Sequence, residues 1–158
     1  MLRIVGFIGL LVLSGFGQAD ELDDVAKLLA NKSAPTGVVF EMVGGDGKSL
    51  NIALRRTQAY VSKLRIAFPK AKFAIVSHGL EQFSLQKHNK EDNPELHRRV
   101  DRIVKDDGIP LHVCASLAEM TGVDTKDFIK TVEVADSGPL QIQEYVEQGY
   151  VVIEMELH

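Results

Sequence analysis

The feature that most constrains this chain is an alternation. Short apolar runs recur along it: 37–43 (GVVFEMV), 72–77 (KFAIVS), 109–113 (IPLHV), 131–134 (TVEV) and 150–155 (YVVIEM). Between them lie longer segments in which apolar residues return every three or four positions. The runs have the length and the Val/Ile content of strands, and the first is apolar enough for a strand buried on both faces. The intervening segments have helical spacing. Residues 49–68 turn Leu50, Ala53, Leu54, Val61, Leu64 and Ile66 inward, and Pro69 stops the helix. Asn93 and Pro94 read as a cap and a first helical residue; Leu96, Val100, Ile103 and Val104 then share a face, and Gly108 closes the helix. A short helix over 115–120 ends near Gly122, a helical turn follows at 125–129, and a helix over 139–148 closes at Gly149. Residues 80–92 fit either a short helix or a mobile loop.

Strands that alternate with helices at this spacing build right-handed βαβ units, and these assemble a mostly parallel sheet covered on both faces. Such sheets gather ligands and catalytic groups at the carboxyl ends of their strands. Here those positions are 44–48, 77–79, 112–116 and 136–138.

The first 19 residues stand outside this pattern. Arg3 gives a positive start, residues 4–13 are almost wholly apolar, and Gly17 and Ala19 occupy the small-residue positions of a cleavage site before Asp20. This is the layout of a secretory signal peptide. The alternative is an uncleaved anchor, for which the apolar run is short and interrupted by glycine. The expectation is a periplasmic or secreted protein with no stable membrane anchor after cleavage. Residues 20–35 then form a helical arm and linker, with Leu22, Val25, Leu28 and Leu29 at helical spacing, packing on the domain or on a partner chain. Residues 36–158 form the domain.

A formal net charge of −4 and the absence of Trp argue against a nucleic-acid partner. An exported chain meets oxidising conditions, yet its one cysteine, Cys114, cannot close an internal disulfide. Cys114 ends the third strand and opens a short helix, where the positive end of the peptide dipoles favours thiolate. The competing reading is a buried structural thiol. His112, two residues earlier on the same strand face, and His78, at the end of the second strand, are candidate supports that stabilise a thiolate or move a proton. A lone strand histidine is more often a satisfied core or surface group.

The loop GGDGKS, residues 44–49, resembles a phosphate loop but has Met42 where the P-loop needs its first glycine, and Leu50 where a dinucleotide motif needs its third. Gly45, Asp46, Gly47 and Lys48 remain candidates for binding an anion at a helix start, against the plainer reading of a strand-to-helix turn. No histidine pair has ligand spacing, so no metal site is expected, and nothing calls for a cofactor. The absence of a Gly-x-Ser-x-Gly elbow counts against a serine hydrolase.

Residues 109–155 (IPLHVCASLAEMTGVDTKDFIKTVEVADSGPLQIQEYVEQGYVVIEM) carry a further pattern: a strand ending in cysteine, a short helix running to glycine, a turn, a short strand, then a helix and a Gly-Tyr strand. With VVFEMVGGDG and the helix after it, this resembles the DsrE/DsrF family of sulfur-relay proteins and its YchN-like members. The resemblance spans about residues 36–155. It implies a five-stranded parallel sheet between helices, a three-layer α/β/α sandwich. It further implies a homo-oligomer, a trimer or hexamer, and a cysteine after strand three that accepts sulfur as a persulfide and hands it to a partner. That cysteine is Cys114. The expected function is therefore an exported sulfur carrier or sulfurtransferase served by a sulfur donor or acceptor protein. The alternative is a non-catalytic oligomeric module that binds a small anion or a protein.

Overall fold

The computed structural model describes residues 21–31 and 33–157. The signal-peptide reading of residues 1–19 lies outside them. In chain order the elements are α1 (Glu21–Ala30), β1 (Gly37–Met42), α2 (Gly47–Ala67), β2 (Lys72–Ser77), α3 (Pro94–Lys105), β3 (Leu111–Cys114), α4 (Ala115–Met120), β4 (Glu133–Ala135), α5 (Gly138–Glu147) and β5 (Tyr150–Met155). Two 3₁₀ turns, Leu80–Leu85 and Lys87–Lys90, fill the segment before α3, and a third, Thr125–Asp127, follows α4.

The five strands form one all-parallel sheet in the order β4-β3-β2-β1-β5. From β1 the chain steps outward one strand at a time to β4, then crosses back to add β5 beside β1. A right-handed crossover that reverses direction puts its helix on the other face. This is what the packing shows. α1, α2, α3 and α4 contribute Val25, Leu50, Leu54, Leu64, Val100, Ile103 and Ala118 to one core, built on Val38, Phe40, Ile75, Leu111 and Ile153 of the sheet. Among the described residues α5 alone covers the other face, where Ile142 and Tyr145 pack on Val39, Ala74, Val76 and Val152. The result is a three-layer α/β/α sandwich.

Helix 2 begins where Asp46 caps it: one carboxylate oxygen accepts from the amides of Lys48 and Ser49, and Ser49 Oγ answers the Asp46 amide at 2.7 Å. This reciprocal cap satisfies donors that a helix start leaves free. The helix ends before Pro69, as the sequence requires. Ile66 departs from expectation and is exposed. It lies about 200° round the helix from Leu64, and that turn carries it off the buried face. Asn93 precedes α3 without making a side-chain cap bond; Pro94 at the first turn still fits the helix start.

The arm helix α1 packs on its own domain. Val25 and Leu28 enter the core, while Leu22 and Leu29 are exposed. Glu21, itself buried, fastens the helix: it pairs with Arg56 Nε at 2.9 Å, accepts from Tyr60 Oη at 3.1 Å and from the Glu156 amide at 2.9 Å.

Candidate functional site

β3 and β4 are neighbours whose following helices leave toward opposite faces, α4 to the side of α1, α2 and α3 and α5 to the other. The connections thus diverge at the carboxyl ends, which makes a topological switch point, the place where open α/β sheets bind ligands. Cys114 is the last residue of β3 and pairs with Ala135 of β4, so it lies at this switch point.

The Cys114 side chain is held from two sides. The amide of Gly138, the first residue of α5, donates to Sγ at 3.3 Å. Ser116 Oγ lies 3.1 Å from Sγ and donates to its thiolate form. The residue is 3% exposed, but Ser116 is on the surface. Burial pushes the thiol pKa up; the Ser116 hydroxyl, with the amides of Gly138, Leu117 and Ser116, outweighs it and leaves the pKa below that of an ordinary cysteine.

The backbone of Cys114 is held by Gln82. The Gln82 carboxamide is fully buried, accepts from the Cys114 amide at 2.7 Å and donates to its carbonyl at 3.3 Å. Beside it, buried Glu81 gathers the loops after β1 and β2. It accepts from the Gly44 amide at 2.7 Å, the Gly79 amide at 3.0 Å and Ser77 Oγ at 2.7 Å. A Cβ on Gly79 would stand 2.4 Å from both the Glu81 carboxylate and the Gly44 nitrogen, so only glycine fits there.

Both candidate histidines lie near this end of the sheet, each with its own partner. His78 Nε2 is 2.6 Å from Glu41 Oε1. The ring backs onto Gly138: a Cβ at Gly138 would stand 2.3 Å from His78 Cβ and 2.7 Å from Cγ. His78 therefore shapes the turn whose amide reaches the sulfur. His112 shares the α5 face of β3 with Cys114, but its Nε2 meets Tyr145 Oη at 2.8 Å and its Nδ1 lies 3.5 Å from Glu133. Burial lowers its pKa against the opposing pull of Glu133 and Glu144, so it is neutral at neutral pH. Burial also pushes Tyr145 up to about 12.

The loop Gly45–Lys48 is a separate feature, at the end of β1. The amides of Lys48 and Ser49 are occupied by Asp46, and the Lys48 side chain is exposed. Among the described residues no cluster of three or more His, Cys, Asp or Glu is arranged to hold a metal ion.

Gln82, Glu81 and Ser116 were not singled out from the sequence. Ser116 had a local signal, two residues past a cysteine at a helix start. Gln82 and Glu81 had none, because they lie in the segment whose pattern fitted helix and loop alike.

No family model matches the chain, and no curated protein sequence matches it. Among solved structures the fold is similar to that of MTH1491, a protein of unknown function from Methanobacterium thermoautotrophicum, with a TM-score of 0.56 and 17% identity over 74% of this chain and 96% of that one. It is also similar to BT1422, a conserved protein of unknown function from Bacteroides thetaiotaomicron, with a TM-score of 0.52 and 15% identity over 78% of this chain and 99% of that one. These likenesses establish the fold alone.

Proposed function

We propose that this chain is a sulfur carrier or sulfurtransferase that accepts sulfane sulfur on Cys114 as a persulfide and passes it to a partner. The observation that carries this reading is the pair of donors on Sγ, the Gly138 amide and the Ser116 hydroxyl, at the switch point of the sheet. They favour the thiolate, which is the nucleophile. With thiosulfate as donor, the thiolate attacks the outer sulfur. A Cys–S–S⁻ bond forms, the donor S–S bond breaks, and sulfite leaves with the electron pair. A partner thiolate then attacks the terminal sulfur, and Cys114 leaves as thiolate, held again by the same two donors. His78, paired with Glu41, packs on Gly138, whose amide reaches the sulfur; His112 is engaged with Tyr145.

The resemblance of residues 36–155 to the DsrE/DsrF family supports the same reading, since it puts the persulfide cysteine after the third strand. The proposal includes an exported, periplasmic or secreted location and a homo-oligomer, a trimer or hexamer. The test is an intact mass after incubation with thiosulfate or polysulfide. Addition of one sulfur atom that Cys114→Ser abolishes is expected; no adduct, or an adduct that survives the substitution, overturns the reading.

The low exposure of Cys114 favours a second reading, a non-catalytic oligomeric module for a small anion or a protein partner. Alkylation of the folded protein separates the two. A carrier thiol reacts with a small electrophile well below the denaturant needed for unfolding, whereas a structural thiol reacts only as the protein unfolds.

A further inference from the structure

The start of α5 is held in an unusual way. Ser137, which precedes the helix, makes no side-chain cap bond, and the amide of Gly138 donates to Cys114 Sγ at 3.3 Å. The sulfur thus accepts from an amide that a helix start otherwise leaves free. With no side-chain cap, the position of this turn depends on what it packs against.

It packs against His78. A Cβ on Gly138 would stand 2.3 Å from His78 Cβ and 2.7 Å from its Cγ, so the glycine backbone rests directly on the histidine side chain. Close-packed atoms have no slack, and a movement of one displaces the other. His78 is in turn fixed to β1 at two points. Its amide donates to the Met42 carbonyl at 3.1 Å, and its Nε2 lies 2.6 Å from Glu41 Oε1. A carboxylate only accepts, so Nε2 carries the proton. The backbone bond alone leaves the ring free to turn about Cα–Cβ; the bond to Glu41 selects one rotamer. Glu41 of β1, His78 after β2, Gly138 of α5 and Cys114 of β3 therefore form one line of contacts.

We propose that Glu41 is a positioning residue for the Cys114 thiolate: its carboxylate locks the His78 ring as a seat for Gly138, and the seat keeps the Gly138 amide on the sulfur. This rests on the reading of Cys114 as a reactive thiol. Glu41 acts through His78 and not on the sulfur itself. Its charge works the other way, since a carboxylate disfavours a nearby thiolate. The two effects of Glu41 have opposite signs, which makes them separable.

The test is the thiolate absorbance of Cys114 against pH in the full chain. Glu41→Ala is expected to raise the midpoint by about one pH unit, the size of one hydrogen bond to a charged group. Glu41→Gln keeps an acceptor for Nε2–H and drops the charge, so its midpoint is expected at or below that of the parent. His78→Ala removes the seat. It is expected to raise the midpoint as Glu41→Ala does, and the double variant is expected to raise it no further. Other titratable groups on this side of the sheet, Glu154 in register with Glu41 and the set His112, Glu133 and Tyr145, are the same in every variant and cancel from the comparison. The Gly138 amide resonance is read in parallel. It should follow the thiol titration in the parent and in Glu41→Gln, and lose that response in Glu41→Ala.

A midpoint unchanged or lowered in Glu41→Ala, a Glu41→Gln midpoint raised as far as that of Glu41→Ala, or additive shifts in the double variant overturns the proposal. The titration needs no sulfur donor. The expected shifts without a sulfur adduct therefore overturn the carrier reading alone, and an adduct without the shifts overturns the role of Glu41 alone.

Discussion

Gln82 holds Cys114 by its backbone: one carboxamide accepts the cysteine N–H at 2.7 Å and donates to the cysteine carbonyl at 3.3 Å. β2 stops at Ser77, which pairs with Val113, so the strand ladder ends one residue short of the cysteine. The Gln82 side chain takes up backbone groups that a longer β2 would have paired. Buried backbone groups need such partners, and here a side chain from a 3₁₀ turn supplies them.

Gln82→Ala leaves the buried Cys114 amide without a partner. A loss of about 1–3 kcal/mol in unfolding free energy is expected from urea titration. A loss within error of zero means that another group takes over the cysteine backbone.

The Cys114 thiol should titrate below the ordinary thiol value, because hydrogen bonds to Sγ outweigh burial. Absorbance of the thiolate against pH measures it. Ser116→Ala removes a donor and should raise the midpoint. An unchanged midpoint would show that the hydroxyl does not donate to the thiolate. The lowered folded pKa also means that this group contributes stability above the unfolded thiol pKa, lost as pH falls through the folded one.

Gly138→Ala drives a methyl group into His78, at 2.3 Å from its Cβ. Neither atom is the free end of a flexible chain, so the α5 turn must shift. A destabilisation of about 1–3 kcal/mol is expected. The shift also carries the Gly138 amide away from Sγ, so the thiol midpoint should rise in the same variant. A variant as stable as the parent, with an unchanged thiol, would show that the turn yields without cost.

Stability should fall at both ends of the pH scale through one contact, His112 with Tyr145. Burial holds the folded His112 pKa below its unfolded value of about 6.5. The unfolded chain then binds the proton first, and stability declines as pH falls below that value. Tyr145 is pushed up from 10.0 to about 12. The unfolded chain then loses its proton first, and stability declines as pH rises through that interval. Melting temperatures across pH should show both limbs, and Tyr145→Phe should flatten the alkaline one. An alkaline limb unchanged by Tyr145→Phe assigns it to other groups.

Glu21→Ala removes the acceptor shared by Arg56, Tyr60 and the Glu156 amide. A loss of about 2 kcal/mol is expected, since Arg56 is partly exposed and recovers some hydration. Limited proteolysis should cut first within α1. An uncut helix of parent stability would mean that Val25 and Leu28 suffice to dock it.

The sequence by itself determined the order and type of most elements. Each strand and long helix is encoded by residues two to four positions apart, through the pleat and the helical turn, and these periods survive in any surroundings. Thus β1, α2, β2, α3 and β5 lie close to where the alternation puts them, and Cys114 stands at the end of β3, before a short helix. Tertiary structure decided the rest. Ile66 belongs to an apolar pattern but is exposed, because among the described residues no element packs on that side of α2. Residues 80–90 have no clear period; they fold as 3₁₀ turns because Glu81 and Gln82 find partners in three other loops and strands. The grip on the cysteine joins positions 32 and 24 residues apart, Gln82 and Gly138. Such contacts depend on where the chain reverses direction, at the carboxyl ends of β3 and β4, and that reversal leaves no local pattern in the residues that meet there.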